Sequence, residues 1–462
     1  MMVVKRLMTT ISSWSQRVKL AVVLACSAAP ALMFYLILWR NAVRIPILDD
    51  YHIVLDFISW VSQHHSLSNR LVYLLTNEHN GYRLMLVNAV TYSQYLLFGQ
   101  IHFLPLVALG DAFAVFIFLI VVRMARITSA NPVERRTLLI PVAWLIFQLQ
   151  YASALDFSSC SIQNLGVVFF ALVAIYLLDK SSTIAFAASC VALILAVASS
   201  PSGFFVAPVG FLMLVQKKQW LRIPAWIASA TAMLILYLYR YVPQVLPPTS
   251  GVHPTTGPLA HLNLLYSLAF LGASAARFVS IGPALILGVF LLAVIAFATW
   301  KRYFLQNPPV FYGMLLIVIN ALAVSVLRSD LGVAQSLASR YRMYSNLLLV
   351  FTYLFVIETL YPRWQSARVR RAFFTSSLLV SIAFCCLSDL AGARFLHGKK
   401  VALTYSYRTQ WQGNAPGKAL GSSDLEANPA LLRQINAGIY DVNLPYLREA
   451  VEDGVYTPPP NP

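Results

Sequence analysis

The sequence predicts an all-α fold, a polytopic membrane helical bundle of roughly eleven transmembrane helices. Apolar residues make up 59% of the chain and charged residues only 11%, whereas soluble domains carry about 25% charged residues. The apolar residues occur in long runs that are separated by short polar breaks. This pattern favours one membrane domain over residues 1–390 and a polar external tail over residues 391–462, rather than several soluble domains.

The first predicted span, residues 18–39, follows a basic N-terminal segment. Because this apolar run is about 20 residues long, it is predicted to be an uncleaved anchor and not a signal peptide, whose apolar region has roughly 7 to 15 residues. The further predicted spans are 102–122, 137–150, 165–179, 183–199, 203–216, 223–240, 279–300, 309–327, 345–362 and 373–389. The run 83–98 is polar on one side and is predicted to be a juxtamembrane helix after a first external loop, 41–82.

The distribution of basic residues predicts the orientation of the bundle. If residues 83–98 do not cross the bilayer, 18 of the 34 Lys and Arg lie on the side of the N-terminus, and nine Arg lie in the opposite loops before the tail. This excess predicts a cytoplasmic N-terminus in a bacterial inner membrane. The basic residues form short clusters beside apolar runs, so the net charge of +17 is attributed to the lipid bilayer and not to nucleic acid. The five cysteines show neither a disulfide framework nor a metal spacing.

The first external loop contains the most distinctive polar residues. Asp49 and Asp50 follow the first span directly, and ionised groups near hydrocarbon are costly unless they face a wet cavity or a partner. A solvated loop cap is an equally good interpretation of an isolated acidic pair. Arg83 comes directly after this loop, and Glu78 and His79 lie within it. They strengthen the functional hypothesis, because they could orient a carboxylate, bind a sugar hydroxyl or ligate a divalent cation.

Two later segments offer further candidate binding residues. The segment Arg340-Tyr341-Arg342 begins a span, and guanidinium groups match phosphate oxygens bidentately, although an interfacial anchor has the same composition. Between residues 148 and 164, Asp156 and Gln163 belong to a group of amides and one carboxylate that suits a sugar or a helix-capping loop. The acids Asp111 and Glu358 lie within spans, where they either have a functional role or pair with other groups inside the bundle.

The remaining external segments are predicted from their prolines and their helical patterns. The proline-rich stretch 241–278 is expected to be an extended loop that either covers a lipid-facing groove or acts as a passive linker. In the tail, PALLRQINAG and LPYLREAVEDG are helix candidates. We expect the tail to dock on the outer face of the bundle.

The order of these motifs resembles the GT-C class of membrane glycosyltransferases over about residues 18–362. More closely, the chain is similar to a subfamily of bacterial membrane proteins with an acidic pair, an NEHR-like motif, an amide-rich external turn and a late SRY motif. Here these are Asp49-Asp50, Asn77-Glu78-His79, the segment 148–164 and Ser339-Arg340-Tyr341. The Arg expected after the histidine is Asn80, and Arg83 follows three positions later, so the role of that basic group stays open.

The resemblance implies an inverting transfer of a sugar from a polyprenyl-phosphate-linked donor to a glycan, lipid or protein acceptor on the periplasmic face. It implies Asp49 as the general base with Asp50 as second choice, and Arg340 and Arg342 as the groups that stabilise the leaving phosphate. The implied substrate-binding residues are Glu78, His79, Arg83, Asp156, Gln163, Arg340, Tyr341 and Arg342. No nucleotide is required, and a divalent cation stays an open alternative.

Two other classes of function remain compatible with the sequence. A transporter or flippase of a lipid-linked saccharide would line a path across the bilayer with charged groups, but this chain concentrates its polar groups on one side and shows no convincing internal repeat. An O-antigen-type ligase, or a non-catalytic partner in envelope assembly, would share the lipid-phosphate chemistry.

Overall fold

The predicted all-α class is confirmed by a computed structural model, which describes residues 15–128, 131–241, 262–276, 281–407, 411 and 439–460. Within these ranges the sheet is a single two-stranded hairpin and the other regular elements are helical. Eight of the described helices are long and apolar enough to cross a membrane. This number of long apolar helices indicates a multi-pass membrane protein.

The elements follow one another along the chain with short connections. The helices are α1 Gln16–Asn41, α2 Phe57–Gln63, α3 Leu67–Thr76, α4 Met85–Phe98, α5 Phe103–Met124, α6 Pro132–Thr137, α7 Ile140–Ile146, α8 Ser158–Leu178, α9 Thr183–Ser199, α10 Val206–Gln216, α11 Ile223–Leu238, α12 Leu264–Leu271, α13 Ile281–Trp300, α14 Tyr303–Gln306, α15 Pro308–Arg328, α16 Ser339–Phe355, α17 Ala367–Ser406 and α18 Ile439–Glu452. The strands are β1 Glu78–His79 and β2 Tyr82–Arg83. The eight membrane-length helices contain α1, α5, α8, α11, α13, α15, α16 and α17.

Three of the eleven predicted spans lie outside these eight helices. Helices α9 and α10 are apolar but short. The predicted span 137–150 is broken, because α7 ends at Ile146, Gln148 is extended and a 3-10 turn over Leu149–Ala154 follows. The predicted juxtamembrane run 83–98 is the 14-residue helix α4, which ends at Gly99 in the left-handed conformation.

Close helix packing brings the beginning of α8 against α5. A Cβ atom added to Gly110 would lie 2.0 Å from the hydroxyl oxygen of Ser161, so only glycine permits this approach. Ser161 belongs to the first turn of α8. This close contact therefore fixes the position of the beginning of α8, which the first loop covers.

The two described parts of the tail pack on the first loop. Helix α17 has 40 residues and continues past residue 390 to Ser406, a length of about 60 Å at the helical rise. Helix α18 contains most of the predicted segment LPYLREAVEDG and buries Leu447 and Ala450 in an apolar cluster with Phe57 of α2. The candidate segment 429–438 and most of the stretch 241–278 lie outside the described residues.

Acids and bases pair at the other end of the bundle, which we call the basic end and define by Arg126, Asp179, Lys217 and Glu358. Asp179 makes ion pairs with both Arg126 and Lys217. The carboxylate of Glu358 accepts hydrogen bonds from the Arg126 amide at 2.7 Å and from the Tyr303 hydroxyl at 2.7 Å. Glu358 thus ties helix connections together at the basic end.

Candidate functional site

The first loop turns sharply at the acidic pair. Leu48 has a positive φ of 51°, which is uncommon for a residue with a side chain. The Asp50 amide donates to the Ile47 carbonyl at 3.0 Å, and a π-helical turn over Tyr51–Asp56 follows. Adjacent residues in such a turn point in different directions, so the two carboxylates enter different environments.

Asp50 is buried and caps a membrane helix. Its carboxylate accepts hydrogen bonds from the Ser158 hydroxyl at 2.9 Å, the Ser158 amide at 3.2 Å and the Ser159 amide at 2.9 Å. These amides open α8 and have no partner within that helix. Burial raises the pKa of Asp50 despite these hydrogen bonds, which act in the opposite direction. The side chain therefore stabilises the beginning of α8.

Asp49 is exposed to solvent and faces an imidazole. Its side chain is 46% exposed, and its Oδ1 atom lies 3.7 Å from Nε2 of His79. The pKa of Asp49 is lowered mainly by His79 and further by His52 and Arg340, against the opposing effect of partial burial. Asp49 is thus an ionised, accessible carboxylate at neutral pH.

A β-hairpin carries His79 to this position. The strands pair Glu78 with Arg83 and His79 with Tyr82. Asn80 and Gly81 connect them with φ values of 51° and 75°, the positive values that a two-residue type I′ turn requires. The turn explains why Asn80 stands where the motif expects Arg. The Asn-Gly dipeptide is a strong hairpin signal that the sequence analysis did not use.

Glu78 and Arg83 fasten this hairpin to α11. Arg83 is fully buried and forms a 2.9 Å ion pair with Glu78. Its guanidinium donates to the Tyr239 carbonyl at 2.7 Å and lies 5.9 Å from the Tyr237 ring centroid. Glu78 and Arg83 therefore pair with each other, and Arg83 also contacts α11. Both residues act on the site by holding the hairpin in place.

The SRY segment contributes one arginine to the site and uses the other for packing. Arg340 has no carboxylate within 4.0 Å among the described residues, and its guanidinium lies 5.1 Å from the Tyr341 ring centroid. Arg342 instead donates to the Leu337 carbonyl at 3.0 Å and the Gln150 carbonyl at 3.4 Å. The two guanidiniums thus have different surroundings.

Asp156 borders the same region but is paired. It forms a 2.5 Å ion pair with Lys399 of α17, and both side chains are 9% exposed. Cys160 lies in the electrostatic field of Asp49, Arg340 and this ion pair, which places the pair near the site. Gln163 is half-buried on α8, one turn after Cys160.

His52 joins the site to the C-terminal helix α18, which the sequence analysis missed. Its ring centroid lies 5.7 Å from that of His79 and 4.2 Å from that of Tyr446, and Asn443 is a hydrogen-bond partner. Burial is the main cause that lowers the pKa of His52, with a contribution from His79, so the imidazole is neutral at pH 7. The spacing of Asp49 and His52 suits one face of a helical turn, whereas contacts with residues so distant in the chain follow no local pattern.

Comparison with family models, curated proteins and solved structures gives no match. The function must therefore be argued from this geometry. Among the described residues, no group of three or more His, Cys, Asp or Glu side chains could hold a metal ion. What the site offers is an ionised carboxylate, two imidazoles and an arginine without a carboxylate partner.

Proposed function

We propose that this protein is a membrane glycosyltransferase of the GT-C type. It transfers a sugar, with inversion, from a polyprenyl-phosphate-linked donor to a glycan, lipid or protein acceptor on the periplasmic face. The observation that carries the proposal is Asp49, an ionised and accessible carboxylate 3.7 Å from His79 and in the field of Arg340. Asp50 is excluded as the base, because its oxygens cap α8.

In the proposed reaction, Asp49 takes the proton of the acceptor hydroxyl. The acceptor oxygen forms a bond to the anomeric carbon while the bond from that carbon to the phosphate oxygen breaks. The electron pair of the broken bond leaves with the lipid phosphate. A carboxylate within hydrogen-bond reach of the proton suits this general-base step, and His79 holds Asp49 in place.

Arg340 supplies the positive charge for the leaving group. Negative charge grows on the lipid phosphate as the glycosidic bond breaks, and a preorganised cation that faces it stabilises the transition state. Arg340 suits this role because no described carboxylate pairs with it. Arg342 holds the backbone of the same segment.

The proposed topology has eleven crossings of a bacterial inner membrane. It adds α9, α10 and the broken segment from Leu138 to Ala154 to the eight long helices. The cationic clusters of the basic end suit the cytoplasmic side by the positive-inside rule. The candidate site lies at the opposite end of α8 from Asp179, which suits a periplasmic site.

A comparison of envelope glycans by mass spectrometry tests this function. Cells would carry the wild-type chain, a deletion, Asp49→Asn, or the matched control Glu452→Gln, an exposed acid on α18. We expect the same hexose-sized or pentose-sized mass to disappear in the deletion and in Asp49→Asn, with Glu452→Gln unchanged and Asp49→Asn present in the membrane at wild-type level.

Two outcomes would contradict the proposal. Full transfer by Asp49→Asn would remove the assigned base. Unchanged glycans together with a lipid-linked precursor that accumulates only in the deletion would indicate a transporter or flippase instead.

A further inference from the structure

Helix α3 of the first loop is amphipathic and lies on the surface of the protein. Its four leucines occupy positions i, i+4, i+7 and i+8 of the helix, from Leu67 to Leu75, and therefore share one side. Asn69 and Thr76 lie on the opposite side. In a soluble domain the apolar side of such a helix packs on the core. Here none of the residues of α3 is buried.

Only part of the apolar side of α3 packs on the rest of the protein. Leu74 and Leu75 lie against the apolar clusters of the bundle and of the first loop. Leu67 is 62% exposed, Leu71 is 47% exposed and Val72 is 36% exposed. Single exposed apolar residues need no explanation, whereas several that cluster on one element indicate a contact surface. The open part of α3 is such a surface.

This surface adjoins a membrane helix. Helix α3 contacts α11, and the hydroxyl of Tyr241, just beyond α11, donates to the Gly81 carbonyl of the hairpin at 2.7 Å. Helix α11 is one of the eight helices of membrane length, and its last turns leave Ile235 65% and Leu238 53% exposed. Apolar side chains that a membrane span exposes in this way contact lipid tails, which are equally apolar. The exposed residues of α3 thus extend a lipid-facing surface.

The end of α11 sets the level of α3 relative to the bilayer. Tyr239 follows the last residue of α11 and is 49% exposed, and tyrosine is enriched where spans leave the hydrocarbon. A short helix with one apolar and one polar side suits this level, because its apolar side can enter the boundary of the acyl chains. We propose that α3 binds the phospholipid surface on the side of the candidate site, with Leu67 and Leu71 among the acyl chains and Asn69 in water.

This contact places the candidate site at the level of the lipid headgroups. The Asn77 amide donates to the Tyr73 carbonyl at 2.8 Å, so the hairpin follows α3 directly. The hairpin carries His79, which lies 3.7 Å from Asp49. A lipid-linked substrate would present its polar end at this level. That consequence rests on the proposed function, whereas the contact of α3 with lipid does not.

Photolabelling of the full-length protein in phospholipid nanodiscs tests the proposal. One probe is a phosphatidylcholine with a diazirine in its acyl chain, and the other is a water-soluble amino acid with a diazirine. Mass spectrometry of the peptides gives the ratio of lipid adducts to water-soluble adducts at each residue. We expect this ratio to be about tenfold higher at Leu67 and Leu71 than at Asn69, because the acyl chains exclude the water-soluble probe. Ile235 of α11 should give the same high ratio.

A matched pair of variants changes the two sides of α3 separately. In Leu71→Glu a carboxylate replaces an apolar group among the acyl chains, where an ionised side chain is costly, so most lipid adducts on α3 should be lost. Asn69→Glu adds the same charge on the polar side and should leave the ratios unchanged. Leu71→Gln is the uncharged version. Thermal unfolding and an unchanged ratio at Ile235 verify that each variant is folded and inserted.

Two results for the wild type would overturn the proposal. Equal ratios at Leu71 and Asn69 would mean that water surrounds both sides of α3. Protection of Leu67 and Leu71 from both probes would mean that protein, such as a second copy of the chain, covers this face. None of these measurements depends on catalysis. Full glycan transfer by Asp49→Asn would refute the proposed base and leave the result for α3 unchanged.

Discussion

Asp49 and Asp50 are neighbours in the chain, but they have opposite electrostatic environments. Burial raises the pKa of Asp50, whereas His79 lowers that of Asp49. The sequence analysis selected Asp49 as the base, with Asp50 as an alternative. It could not separate them physically, because the partners of Asp50 are the amides of Ser158 and Ser159, more than one hundred residues later.

We predict that Asp50→Ala destabilises the protein without a direct chemical effect. The substitution leaves the Ser158 and Ser159 amides unpaired in a buried place, which costs on the order of 1–3 kcal/mol. The midpoint of thermal unfolding in detergent should fall. Asp49→Ala removes an accessible carboxylate without such a cap and should unfold close to the wild-type temperature. Equal midpoints for Asp50→Ala and the wild type would contradict the capping role.

The hairpin is the element that sets the position of His79 against Asp49. Its turn needs two residues of positive φ, and Asn80 and Gly81 provide them. The Glu78–Arg83 ion pair and the contacts of Arg83 with α11 hold the hairpin from its other end. The turn preference of Asn80 and Gly81 thus determines the position of His79 in the site.

We predict that Gly81→Ala lowers glycan transfer more than its effect on stability explains. A Cβ at Gly81 would meet nothing closer than 3.9 Å, so the cost is conformational, about 1–2 kcal/mol for a left-handed residue. Gly99→Ala is the matched control, since Gly99 has a φ of 71° and open space around it but lies at the end of α4. Similar unfolding midpoints with transfer lost only in Gly81→Ala would support this role. Equal transfer by both variants would argue against it.

Helix α18 is a second element of the site, and its docking should depend on pH. The pKa of Asp56 is raised by burial and by Glu449 of α18. A raised carboxyl pKa means that the stabilisation is present at low pH and is lost as the pH rises through the value in the folded state. We therefore predict that α18 docks more tightly as the pH falls from 7 towards the usual pKa of an aspartate. The protection factors of the amides of residues 439–452, which are corrected for the intrinsic pH dependence of hydrogen exchange, measure this.

Asp56→Asn removes this carboxyl group and should raise the protection factors of the α18 amides at pH 7 and make them change less with pH than in the wild type. Asp453→Asn provides the comparison. Asp453 follows the last residue of α18 and accepts a hydrogen bond from Gln63. A pH dependence that persists in Asp56→Asn would assign the effect to another group.

At the scale of the whole molecule, the structural features that follow from composition were predictable from the sequence. The features that depend on contacts between residues distant in the chain were not. Apolar runs predict helices because lipid leaves backbone groups no other partners. The site depends on side chains such as Asp156 with Lys399 and His52 with Tyr446, which only the packed bundle brings together. The break after α7 was also unpredicted, because its residues are as apolar as a regular span.

The topology of the whole chain depends on whether α4 crosses the membrane. Its 14 residues span about 21 Å at the helical rise, less than the roughly 30 Å of a bilayer core. We therefore predict that α5 brings the chain back to the cytoplasm. The contacts of Arg126 with Asp179 and Glu358 place the connection after α5 at the basic end.

Reporter fusions check this prediction at three positions. A phosphatase that is active only in the periplasm should be inactive when fused after residue 130 and after Lys301, and active when it follows residue 460. The fusion after Lys301 should agree with the fusion after residue 130, because the segment that follows α13 is joined to Arg126 at the basic end. Phosphatase activity at residue 130 would mean that the whole packed bundle has the opposite orientation. Since the packed bundle ties Arg126 to Asp179, at the end of α8 opposite to Asp50, such a result would place the proposed site in the cytoplasm and exclude the periplasmic transfer proposed above.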